Sequence, residues 1–264
     1  MTPRPSAAVD ARTVHIHQGA LGRRLLAEFL GGALLAVVVI GSGIAAQQLS
    51  PGAVGLELFE NAAATAAGLF AVILMFGAVS GGHFNPVVSF VDAALGGMSW
   101  RDAAAYLPAQ VGGCATGALV ANGMFAKALF EISTKRRGSG GHFLAEIVAT
   151  TGLIVLIFAL ARAGRTRSTP AAVGAYIGAA YFFTSSTSFA NPAITVGRMF
   201  SDTFAGIAPS SAPAFISAQL VGGVLAVGLV RVLYPALTPA QASAAVIPSI
   251  EDASGPPQRG VVSQ

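Results

Sequence analysis

The sequence predicts an all-α membrane protein in which six transmembrane helices enclose two short half-helices, the two halves of the chain forming an inverted repeat. Three observations predict it. Of 264 residues, 54% are hydrophobic and only 10% charged, where a soluble domain carries about a quarter charged residues. Six apolar windows are long enough to cross a hydrocarbon layer, which asks for about 20 residues per helix. Asn-Pro landmarks recur in the same order in each half.

Residues 1–24 are polar and read as a cytoplasmic tail, with His15 and His17 in no metal-ligand pattern. No short apolar core with a small-residue cleavage site precedes the first span, so that span is expected to be a retained anchor. The spans are placed at about 25–47, 60–80, 102–123, 143–162, 170–189 and 211–234. Segments 86–97 and 192–203 each begin with proline, which suits the first helical turn. At about 1.5 Å per residue they reach only a little over half the bilayer core. Residues 235–264, rich in Pro, Ser, Ala and Gly, read as a disordered tail, which leaves 25–234 as the channel-forming unit.

Charge sets the orientation. Arg4, Arg12, Arg23, Arg24, Arg101, Arg162, Arg165 and Arg167 all fall on one side if six helices alternate, and that side is cytoplasmic, with both termini inside. Lys127, Lys135, Arg136 and Arg137 stand against the rule, in a loop that would face outward. The pI of about 9.7 does not indicate nucleic acid, because the arginines form no binding stripe. The lone Cys114 can close no internal disulfide.

The repeat has three landmarks. Ala27-Glu28-Phe29 is answered by Ala145-Glu146-Ile147, Asn85-Pro86-Val87 by Asn191-Pro192-Ala193, and Ala109-Gln110 by Ala218-Gln219. Three spans per half force the second half to enter from the opposite face. The short helices then meet near the midplane, where irregular backbone is tolerated only beside a water-filled cavity or buried in protein. Glu28 and Glu146 are costly inside spans, and their matching positions predict that each accepts hydrogen bonds from the short segment of its own half. Gly113 with Gly117, and Gly174 with Gly178, put small residues on one helix face for close packing.

These residues carry a resemblance. Ser80-Gly81-Gly82-His83-Phe84-Asn85-Pro86-Val87 and Ser188-Phe189-Ala190-Asn191-Pro192-Ala193 resemble the aquaporin, or major intrinsic protein, family over residues 25–234. The resemblance implies an aquaporin-like right-handed bundle of six helices and two re-entrant half-helices, one pore per protomer, and a homotetramer in the bacterial inner membrane. Asn85 and Asn191 would cap the facing helix ends and direct amide donors into the lumen. Their dipoles orient a permeating hydroxyl and reject cations. Val87 stands where the family usually has alanine. His83 is expected to orient its loop and border the inner vestibule.

The family filter, counted from the motifs, falls on Thr65, Ala179, Ser188 and Ile194. Ile194 replaces the arginine that water- and glycerol-selective members carry, so the filter is expected to lack both cation and aromatic ring. Arg198, one turn later, is read as pairing with Asp202 or, alternatively, as facing the outer vestibule. The segment 191–207 is similar to a bacterial branch associated with arsenic resistance. That likeness implies passage of water, glycerol-like polyols, arsenite and methylated arsenicals. No catalytic residues, cofactor, metal site or nucleic-acid partner are expected; the partners are membrane lipids and small neutral solutes. A secondary transporter shares broken helices and inverted repeats, but the spans offer no acid cluster beyond the two glutamates for a coupled ion. Ser80 beside His83 is too weak a pair for an intramembrane enzyme, and a permeability measurement separates a channel from a non-conducting structural protein.

Overall fold

The computed structural model describes residues 20–235, so residues 1–19 and 236–264 of the two expected tails lie outside the described residues, while residues 21–24 of the first already belong to a helix. The described chain contains α1 (Leu21–Leu49), α2 (Val54–Ser80), α3 (Pro86–Ala94), α4 (Trp100–Met124), α5 (Gly140–Arg162), α6 (Thr169–Phe183), α7 (Pro192–Gly197) and α8 (Ala212–Leu233). The fold is all-helical. Helices α1, α2, α5 and α8 are long and apolar enough to cross a membrane. Helix α4 has the length but is less apolar, with Arg101, Asp102, Gln110 and Asn122 along it, and α6 has only 15 residues. The fifth span, expected over 170–189, is therefore too long. Thr184 turns extended, and a Thr/Ser-rich stretch of turn and left-handed residues leads to Asn191 instead of continuing the helix.

Both short helices start where proline places them, at Pro86 and Pro192. They end earlier than 97 and 203. The first stops at Leu95 before Gly96 in a left-handed conformation, and the second tightens into a 3-10 turn over Arg198–Phe200.

Helix α1 packs along α4 and α2, α5 along α8, and α2 along α6, while α3 and α7 sit against α4 and α8. Small residues set the spacing between α1 and α4. A Cβ on Gly113 would stand 2.2 Å from the Phe29 carbonyl oxygen, and one on Gly117 2.1 Å from that of Ala33. Gly174 and Gly178 pack in the same way on α2, where added Cβ atoms would lie 2.6 Å from the Ala66 oxygen and 2.9 Å from the Ala66 Cβ. Large apolar side chains such as Leu26, Leu74, Val224 and Val232 point outward, as a lipid-facing surface requires.

Candidate functional site

The site begins with two buried carboxylates that shape two loops in the same way. Glu28 Oε1 accepts from Ser80 Oγ (2.6 Å) and the His83 N–H (3.1 Å), and Oε2 from the Phe84 N–H (2.7 Å) and Gln110 Nε2 (2.7 Å). Glu146 Oε1 accepts from Ser186 Oγ (2.6 Å) and the Phe189 N–H (2.9 Å), and Oε2 from the Ala190 N–H (2.9 Å) and Gln219 Nε2 (2.6 Å). Four donors on each carboxylate offset the cost of burying it. The backbone N–H groups that each glutamate ties down belong to the residues just before each Asn-Pro motif, so the carboxylate fixes where the following helix begins.

Asn85 Oδ1 accepts from the Val87 N–H at 3.0 Å, and Asn191 Oδ1 from the N–H groups of Ala193 (2.9 Å) and Ile194 (3.3 Å). These are N-caps. Each amide nitrogen also crosses to the other loop: Asn85 Nδ2 donates to the Ala190 carbonyl (2.7 Å) and Asn191 Nδ2 to that of Phe84 (2.8 Å). The two helix N-termini are therefore stitched together, and one of each amide's two N–H donors is spent on that stitch, leaving one for the lumen.

Beside this junction runs a cavity of about 60 Å³, large enough to admit water. Thr65, His83, Asn85, Ser188, Asn191, Ile194 and Arg198 line it, between aliphatic walls from α1, α2, α5 and α6. Pro86, Val87, Pro192 and Ala193 are buried outside it. Val87 faces α8, where a Cβ on Gly223 would come within 2.6 Å of it, so the bulk of this valine is taken up by a glycine and not by the lumen.

Ala179 does not line the cavity. It is exposed on the outer side of α6, whereas Val173, Ile177 and Tyr181, spaced four apart, face inward. Two residues from Ile177 is about 200° around a helix, the opposite face. Tyr181 takes the place expected of Ala179, and its hydroxyl lies 3.1 Å from Thr65 Oγ1. The count from Asn191 failed because the connection after α6 is two residues shorter than the count assumes. An aromatic ring therefore does border the cavity. The inward stripe on α6 was the signal that would have found it.

Arg198 does not pair with Asp202. Asp202 accepts from the Thr134 N–H (2.8 Å) and hydroxyl, while Arg198 Nε donates to the Ala205 carbonyl and its guanidinium carbon sits 3.5 Å over the Phe189 ring. The side chain is 2% exposed, so the cavity contains a buried cation after all. The loop over 125–139 folds over this end. Arg137 donates to the carbonyls of Gly206 (3.0 Å), Ser186 (3.3 Å) and Phe204 (3.3 Å), and Lys135 Nζ to that of Phe204 (2.9 Å). Burial pushes the Arg137 guanidinium down to about 10, still charged at neutral pH. Burial, then repulsion from Arg137 and Arg198, pushes Lys135 down to about 8. Two of the four charges that break the orientation rule are thus anchored to the loops beside Arg198 and Phe189, without lining the cavity themselves.

At the other end His83 Nδ1 lies 3.0 Å from Ser89 Oγ and its Nε2 3.9 Å from Asp92 Oδ2. Asp92 was not singled out by the sequence reading, although it stands seven residues after Asn85 as Arg198 stands seven after Asn191. Among the described residues no cluster of potential metal ligands occurs.

Paired loops meeting N-terminus to N-terminus beside a cavity, in an all-helical apolar bundle, define a membrane channel. A family profile described as "Major intrinsic protein" matches residues 15–190, and the chain belongs to that family of multi-pass, non-enzymatic channels for small neutral solutes. It is 45% identical over 217 residues to the aquaglyceroporin AqpS of Rhizobium meliloti (strain 1021), covering 82% of this chain and 92% of that protein. It is 31% identical over 160 residues to aquaporin-9 of Mus musculus, covering 53% and 54%. The X-ray structure of the aquaglyceroporin from Plasmodium falciparum superposes with a TM-score of 0.65 over 82% of this chain and 98% of that one, at 21% identity. That likeness shows the fold.

Proposed function

We propose that residues 25–234 form a passive channel that carries water, glycerol-like polyols and other small uncharged polyhydroxyl solutes, arsenite and methylated arsenicals among them. In this reading α1, α2, α4, α5, the shorter α6 and α8 span the inner membrane, α3 and α7 re-enter from opposite faces, both termini are cytoplasmic, and four protomers assemble with a pore in each. The observation that carries it is the cavity, which runs past the Asn85–Asn191 junction with Thr65, Tyr181, Ser188, Ile194 and Arg198 on one part of its wall. Aliphatic side chains exclude ions by refusing to replace their hydration, and a short polar track of hydroxyl and amide groups receives a hydroxylated solute.

Ile194 gives this filter an aliphatic side where an arginine would narrow it, which favours solutes larger than water. The arsenical part of the reading rests on that aliphatic residue and on the likeness of segment 191–207. A secondary transporter is disfavoured by Glu28 and Glu146, each already accepting four hydrogen bonds and so committed as scaffold.

Stopped-flow light scattering on proteoliposomes tests the reading with water, glycerol and arsenite. Flux no faster than through empty vesicles for all three defeats it. Ile194→Arg is expected to cut glycerol and arsenite flux at least tenfold, a barrier increase of about 1.4 kcal/mol or more, with water flux reduced much less. Unchanged glycerol flux in that variant removes Ile194 from the constriction.

A further inference from the structure

Three cations, Arg198 among them, gather at one end of the cavity, and the acids near them, Glu146, Glu57 and Asp202, act only from beyond ion-pair distance. Among the described residues, no acidic side chain lies within ion-pair distance of Lys135, Arg137 or Arg198. Arg137 and Lys135 spend their donors on backbone carbonyls. Arg198 differs: among the described residues its Nε alone makes a hydrogen bond, although the side chain lines the cavity. Its two terminal nitrogens therefore keep their N–H donors for whatever occupies the lumen.

A second observation points to the same place. Ser188 lines the cavity, and its Oγ is buried with no hydrogen-bond partner among the described residues. The next residue, Phe189, supplies the ring on which the guanidinium rests, with Arg137 over the same ring at 5.2 Å. A planar guanidinium fixed on a ring, a neighbouring hydroxyl donor and two further positive charges form a receptor for a planar oxyanion, which a guanidinium binds through two parallel hydrogen bonds.

We propose that this end of the channel is an anion-binding site that takes a small monovalent planar oxyanion, a carboxylate or nitrate, on Arg198 and Ser188, and that the bound anion blocks passage of neutral solute. The anion stops there because the wall beyond is aliphatic, with Leu35, Val39, Leu69 and Ile73 along it, and a charge cannot shed its water against such a surface without replacement donors. An anion held on Arg198 occupies the same cavity that a neutral solute must cross. The block rests on the channel reading above, while the binding does not.

Glycerol flux is measured in proteoliposomes equilibrated on both sides with sodium acetate, nitrate or chloride at equal ionic strength. Acetate and nitrate are expected to lower flux several-fold and saturably, chloride not. Arg198→Leu should abolish the difference between anions, and Ser188→Ala should weaken the block while retaining it in part. Equal flux in all three salts, or the same inhibition in Arg198→Leu, overturns the block. Binding is read separately as nitrate-dependent thermal stabilisation of the detergent-solubilised protein, which grows with ligand concentration when only the folded state binds. Stabilisation in wild type that Arg198→Leu or, where that variant does not fold, Ser188→Ala fails to reduce overturns the site. If glycerol does not cross at all, the channel reading fails, and the thermal measurement still decides whether the anion site exists.

Discussion

At the scale of single residues, Ser188 shows what its place in the second loop demands. Its φ is +47°, and Thr187 before it has +63°. Both stand in the left-handed region, where a Cβ costs about 1–2 kcal/mol. The matching positions of the first loop are Gly81 and Gly82, with φ of +94° and +63°, which adopt that backbone without steric cost. The Ser186 hydroxyl and Glu146 hold the second loop in the same shape despite its side chains. Ser188→Gly is therefore expected to stabilise the protein by about 1 kcal/mol, because it removes strain and a hydroxyl without a protein partner while losing some backbone entropy. A thermal unfolding midpoint raised by roughly 2–4 °C would show it, and an unchanged or lowered midpoint would contradict it. The same variant should weaken the anion block, as Ser188→Ala does, so stability and selectivity move in opposite directions at one residue.

At the scale of elements, the loop over 125–139 turns a sequence anomaly into a structural part. Lys135 faces Arg137 and Arg198, with Glu57 and Asp202 as weaker opposing charges. Its ammonium is held down to about 8, against about 10.4 for an unperturbed lysine. Between those values the unfolded chain binds more protons than the folded one, so stability rises with pH across that window and the full penalty applies below about 8. The unfolding midpoint of wild type is expected to rise more between pH 7.5 and 9.5 than that of Lys135→Met. Parallel profiles would remove Lys135 from this role. The helices themselves were largely legible in the sequence, because apolar run length and proline position follow from the bilayer and from the missing proline N–H. The buried acids were legible too, since Glu28 and Glu146 stand in equivalent places. Register across an irregular connection was not. Nothing periodic marks where α6 stops, so counting back from Asn191 reached Ala179 instead of Tyr181. Arg198 was located but mispaired, because the loop that occupies Asp202 comes from about 70 residues earlier in the chain, a closeness that no local pattern encodes.

At the scale of the whole molecule, the halves are joined through the reciprocal bonds of Asn85 and Asn191. Each asparagine caps its own helix and braces the opposite loop, so loss of either should cost about 2 kcal/mol, combining a cap with a buried hydrogen bond. A double-mutant cycle of Asn85→Ala and Asn191→Ala is expected to show coupling of about 0.5–3 kcal/mol, the double variant losing less than the sum. Strict additivity in chemical or thermal unfolding would mean that the halves are braced elsewhere. The crossing bonds also set an order on synthesis. The Phe84 carbonyl is made 107 residues before the amide that satisfies it, and at membrane depth an unpaired carbonyl is costly. The first half leaves the ribosome as an unfinished object, obliged to wait with its loop open until the second arrives. A chain truncated anywhere before Asn191 would keep that defect permanently, which gives cellular quality control a simple mark by which to recognise an incomplete channel.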